Sequence, residues 1–135
     1  TYWEGWLEFV RGELLKNQYV SAPDLELLFV TDDIDAAVGE ITGFFANYHS
    51  QRFVDGRMVL RVHHAPDTTT LETLSAEFRD IIRRGVIERV DASPAEIADD
   101  DALDQERVAF WFDRHGWARL RELIDRLNGH QPHTN

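Results

Sequence analysis

Residues 57–63, RMVLRVH, alternate strictly, with Met58, Leu60 and Val62 on one side and Arg57, Val59, Arg61 and His63 on the other. A period of two residues predicts a β-strand with one face on a core and the other half-exposed. Asp55-Gly56, just before it, is a turn signal. Downstream, Thr69-Thr70-Leu71-Glu72 fits a capping box for a helix on Leu71, Leu74, Phe78, Ile81 and Ile82, and Gly85 suits its C-terminal cap. Residues 86–90 (VIERV) and 108–112 (VAFWF) predict two more strands. Between them, Ser93-Pro94-Ala95-Glu96 reads as a second capping box with proline at the first helical position. A last helix is expected over 118–128 on Leu120, Leu123, Ile124 and Leu127, closed by Gly129, and residues 130–135 are expected to fray. These elements predict a small α+β unit with a three-stranded, largely antiparallel sheet.

Upstream, Trp3, Trp6, Leu7, Val10 and Leu14 make one helical stripe over residues 2–17. The two tryptophans need an apolar partner from elsewhere. Residues 21–24 (SAPD) are a turn, and residues 25–31 (LELLFVT) are almost continuously apolar, as in a strand covered on both faces of a parallel sheet. Asp32, Asp33 and Asp35 crowd the start of a second helix, where a carboxylate caps the free N–H groups. Its stripe is Ile34, Ala37, Val38, Ile41, Phe45 and Tyr48, and it is expected to run out at Tyr48-His49-Ser50. Helix, strand, helix is the pattern of the tail of a doubly wound α/β sheet. The reading therefore divides the chain into residues 1–52, an α/β tail, and residues 53–135, an α+β unit.

Composition narrows the function. The 135 residues carry 14 Lys and Arg against 25 Asp and Glu, a formal charge of −11. Such a chain repels phosphate backbones, so nucleic acid is not an expected partner. There is no cysteine, which removes disulfides, thiolate metal sites and a cysteine nucleophile and fits a reducing cytosol. No apolar run approaches a membrane span, and no signal peptide is read. The chain begins with Thr1 rather than Met, as a processed or truncated product would.

The chemistry-bearing clusters are few. His49, His63 and His64 are the metal candidates, but neighbouring strand residues point to opposite faces and no H-x-x-x-H spacing occurs, so no metal is expected. Residues 91–106 hold seven acids and no base, without the central glycine of a calcium loop, and read as a solvated loop. No serine lies in a G-x-S-x-G elbow and no glycine-rich phosphate loop is present. Tyr48, His49, Ser50 and Arg52 gather donors and acceptors at a helix end, where a histidine titrates and an arginine holds a phosphate or carboxylate. They are the candidate substrate-binding residues; the plainer reading is a polar cap and a salt bridge.

Taken together, YWEGWLEFVRGELL (2–15), SAPDLELLFVTDDIDAAVGEI (21–41) and FFANYHSQRFV (44–54) resemble the C-terminal part of the Lonely Guy (LOG) family, also called possible lysine decarboxylases. MVLRV (58–62), LSAEFRDIIRRGVIE (74–88) and RLRELIDRLN (119–128) resemble the C-terminal extension of its longer members. The resemblance implies a Rossmann-like fold that binds a nucleoside monophosphate such as AMP and hydrolyses its N-glycosidic bond, without a cofactor and as a homo-oligomer. The family signature, Pro-Gly-Gly-x-Gly-Thr-x-x-Glu with an upstream arginine, does not occur in these residues, so no catalytic residue is carried over. The expectation is a cytoplasmic nucleotide-binding protein whose N-terminal Rossmann half precedes this segment, with Trp3 and Trp6 facing that half. The rival expectation is a stand-alone acidic interaction domain with no catalysis, docking through the same tryptophans.

Overall fold

A computed structural model describes residues 2–129. The expectation for residues 130–135 lies outside them. Helix α1 (Tyr2–Phe9) passes into a wide π-helical turn (Val10–Leu15), and a 3-10 turn (Pro23–Leu27) precedes α2 (Ile34–Phe44). There follow β1 (Tyr48–Val54), β2 (Arg57–Val62), α3 (Thr68–Glu77), a 3-10 turn (Arg79–Ile81), β3 (Glu88–Arg89), α4 (Pro94–Ala98), β4 (Glu106–Phe110) and α5 (Trp117–Leu127). The chain is thus mixed α/β, built on one sheet of order β1-β2-β4-β3 with every pairing antiparallel.

The alternation of RMVLRVH carries the core. Met58, Leu60 and Val62 of β2 join Val108, Phe110 and Phe112 in a buried layer. Leu71, Leu74 and Phe78 from α3, and Leu120, Leu123, Ile124 and Leu127 from α5, complete that layer. Packing two amphipathic helices on one sheet face is the ordinary way to bury both apolar stripes. Asp55 and Gly56 both take positive φ (49° and 84°), so the signalled turn is a tight two-residue hairpin joining β1 to β2.

The opposite face of β2 is not half-exposed. Val59 and Arg61 are as buried as the core side, and α4 with the loop after it covers Arg61. The sheet has four strands rather than three, because residues 48–54 are a strand and not a helix end. Asn128 at the end of α5 makes the difference. Its Oδ1 accepts the N–H groups of Asn47 (2.9 Å) and Tyr48 (2.7 Å), while its Nδ2 donates to the carbonyl of Phe44 (2.6 Å). Asn47 answers by donating to the carbonyls of Leu127 (2.9 Å) and His64 (3.0 Å). This clamp stops α2 at Phe44 and turns the chain onto the sheet edge. β1 therefore runs across position 52.

Residues 25–31 are not a strand. Asp24 accepts from the N–H and hydroxyl of Ser21 (2.8 and 2.7 Å), and Pro23 sits at the first helical position, so the segment begins as a 3-10 turn packed on α5. Residues 28–31 pair with no strand. An apolar run becomes a strand only where a neighbour supplies ladder hydrogen bonds, and none does here. The cap of α3 is Asp67 rather than Thr69, its carboxylate accepting from Thr70 N–H (2.8 Å). The strand expected over 108–112 is shifted to Glu106–Phe110, and Phe112 bridges to Ile82 beyond it. No helix among the described residues is long and apolar enough to cross a membrane.

Replacing Asn128 by alanine removes three hydrogen bonds from the clamp. At about 1 kcal/mol each, urea unfolding should show a loss of roughly 2–4 kcal/mol. Asn128→Asp keeps the two acceptor bonds and should lose less; equal losses would contradict this account of the clamp.

Candidate functional site

On the covered face of the sheet, Arg61 of β2 lies directly opposite Arg107 of β4. Both are almost fully buried, at 4% and 3% exposure. Like charges facing each other across a ladder repel, so this pair requires an anion between them. Glu96 of α4 supplies it. Its Oε1 accepts from Arg61 Nη2 (2.9 Å) and Nε (3.2 Å) and from Arg107 Nε (3.2 Å). Its Oε2 accepts from the N–H and hydroxyl of Ser93, both at 3.0 Å, completing the capping box read from the sequence. Burial pushes the Glu96 carboxyl up, but hydrogen bonds from Ser93, Arg61 and Arg107 outweigh it and bring its pKa down to about 2.

The network extends outward. Asp101 accepts from Arg61 (2.7 Å) and Arg52 (2.8 Å), and Arg52 also reaches Asp99 (2.8 Å). Hydrogen bonds from Arg52 and then Arg61 hold the Asp101 carboxyl below its ordinary range. Arg107 draws in the carbonyls of Asp101 (3.0 Å) and Ala102 (2.9 Å). Asp100 and Ala102 take left-handed φ values of 50°, a conformation L-residues adopt at a cost, and the guanidinium contacts offset it. Three guanidiniums thus face three carboxylates. Glu96 is ionised at neutral pH, and its two oxygens are taken up by Ser93 and the two guanidiniums.

The four sequence candidates do not converge. Tyr48 is buried against Phe44 (centroids 5.0 Å) on the helix-covered side, where burial raises its pKa. Exposed His49 places Nδ1 2.8 Å from Ser50 Oγ, and its ring lies 6.1 Å from that of His63. Ser50 accepts from Arg61 Nη1 at 3.3 Å, so Ser50 and Arg52 alone join the charge network. Arg52 spends its donors on Asp99 and Asp101. Among the described residues no group of three His, Asp or Glu side chains could hold a metal ion. Sequence reasoning missed Arg61, Glu96 and Arg107 as a unit. Arginine at both inner positions of neighbouring strands was the available signal.

A second feature is apolar. In α2, Ile34 (78% exposed), Val38 (52%), Ile41 (61%) and, just past its end, Phe45 (50%) form a stripe open to solvent. The stripe expected to face a core does not. The opposite side of α2 packs instead, through Arg121 on Glu40 (2.6 Å) and over the Phe44 ring (4.6 Å). Trp3 and Phe9 are likewise half out in solvent, while Val10 alone of the first stripe is buried. No protein-family model matches the chain, and no curated protein or solved structure matches it significantly either.

Removing one partner of a buried ion network leaves its charges unpaired, so Glu96→Ala should cost about 3–5 kcal/mol by urea unfolding. The pH dependence follows from the lowered carboxyl. Stability from Glu96 is present above its ordinary pKa of 4.5 and is lost as pH falls toward about 2. The shift corresponds to about 3 kcal/mol. Glu96→Gln should flatten the acid limb of the stability curve; an unchanged limb would refute the role given to Glu96.

Proposed function

We propose that this chain works as the docking and support segment of a larger nucleotide-binding protein, one resembling the LOG phosphoribohydrolases. The observation that carries the reading is the open stripe of Ile34, Val38, Ile41 and Phe45. Burying each such side chain fully is worth up to about 1.5–3 kcal/mol, and a monomer seldom leaves a whole helical stripe in water. On this reading residues 2–45 lie against a Rossmann-like half that holds the glycine-rich signature and the nucleoside monophosphate. Residues 28–31, apolar and unpaired here, would then find the sheet edge that their composition suits. The unit from β1 to α5 has its own core and would act as a rigid support.

A second reading is a stand-alone acidic interaction domain that docks the same stripe on another protein, favoured by the formal charge of −11 and by that separate core. The protein expressed from its complete coding sequence discriminates between them. Release of adenine from AMP, followed by chromatography, supports the first reading. A complete protein that contains no glycine-rich loop and releases no base overturns it in favour of the second.

The stripe makes a prediction of its own. Ile34→Asp with Ile41→Asp should leave the unfolding free energy of this chain, read from urea curves, within about 0.5 kcal/mol of the parent, as exposed substitutions do. If this chain self-associates through the stripe, sedimentation should show the pair as monomer. A large loss of stability would show that the stripe is buried within the chain.

A further inference from the structure

We propose that Arg83, Arg84 and Trp111 form a binding site for a phosphoryl group, at the end of the sheet where the β1–β2 hairpin turns. The arginines at 52, 57, 61, 89, 107, 119, 121 and 126 each hold a carboxylate. Arg83 and Arg84 hold none among the described residues, and both are exposed. Arg11, Arg79 and Arg114 also pair with no carboxylate among the described residues, but Arg83 and Arg84 are adjacent and line one hollow together.

Their placement is built rather than incidental. Arg83 N–H donates to the Trp111 carbonyl (2.8 Å), and the Arg84 guanidinium lies 3.7 Å from the Trp111 ring centroid. Gly85 takes φ +70° and Gly56 lies under the Trp111 ring edge, where an added Cβ would come within 3.2 Å. These two glycines let the backbone close around the indole. The three side chains line a hollow of about 230 Å³. That is below the ~300–1,000 Å³ typical of whole-ligand pockets, and it suits a single tetrahedral anion or the end group of a larger molecule.

The chemistry selects among anions. A guanidinium presents a fork of N–H donors that matches the oxygens of phosphate or carboxylate. Two guanidiniums neutralise a phosphomonoester dianion, whereas one carboxylate leaves a cation over. The acidic field of the rest of the chain opposes binding, but charges beyond about 8–10 Å are largely screened at physiological salt. Glu88 on β3 is held by Arg57 at 2.7 Å, and Asp55 in the hairpin turn is the acid next in sequence to Gly56. This site lies apart from the stripe of α2 and does not depend on what covers that stripe.

The test uses this chain and inorganic phosphate at constant ionic strength, read by tryptophan emission and by calorimetry. Saturable binding is expected, weakened at least tenfold in Arg83→Gln/Arg84→Gln. Arg126→Gln changes the net charge at the opposite end of the sheet and should bind as the parent does. Far-UV circular dichroism checks that each variant is folded. No saturable binding overturns the proposal. So does binding that survives the double substitution, or that falls as much in Arg126→Gln as in the double variant.

Discussion

Two arginines facing each other in a buried sheet cannot persist without an anion between them. Arg61 and Arg107 are cross-strand partners, and Glu96 accepts from both. Most of the architecture on that side follows from this need. α4 is positioned by its Glu96, and the capping box orients the carboxylate by engaging its second oxygen. The loop after α4 is drawn down by Asp101 on Arg61 and by its own carbonyls on Arg107. The middle strands β2 and β4 are thereby covered on both faces, with hydrocarbon on the helix side and ion pairs on the other.

Ion pairing of this kind adds specificity more than stability. Desolvating charges costs several kcal/mol per ion, and the pairing roughly returns it. What the network does is allow one arrangement of β2, β4 and α4 and penalise shifted ones, since a one-residue slip would put Arg61 and Arg107 into the apolar layer. The region where nucleophiles and bases might have been sought is in consequence electrostatically closed. The two surfaces proposed for binding lie elsewhere: the open stripe of α2 and the arginine pair around Trp111.

Helix α2 has two unlike sides. Its Glu40 and Phe44 side meets Arg121 of α5, and the Asn47–Asn128 clamp fixes its end. With that side engaged, Ile34, Val38 and Ile41 point outward. The periodicity of the sequence was real, but periodicity alone does not say which side of the helix packs within the chain.

Short-range chemistry was legible in the residues themselves. The alternation of β2, the Asp55-Gly56 turn, the Ser93–Glu96 capping box and the amphipathic α5 depend on neighbours one to four positions away, so sequence alone determined them. The strand at 48–54, the non-strand at 25–31 and the Arg61–Glu96–Arg107 network were settled only by tertiary contacts. Each rests on partners far along the chain: Asn128 for residue 47, a missing ladder neighbour for residues 25–31, and α4 for two arginines on separate strands. Backbone groups must be paired wherever they are buried, and buried charges must be neutralised. Which distant residue does so is a property of the folded chain, not of any local pattern.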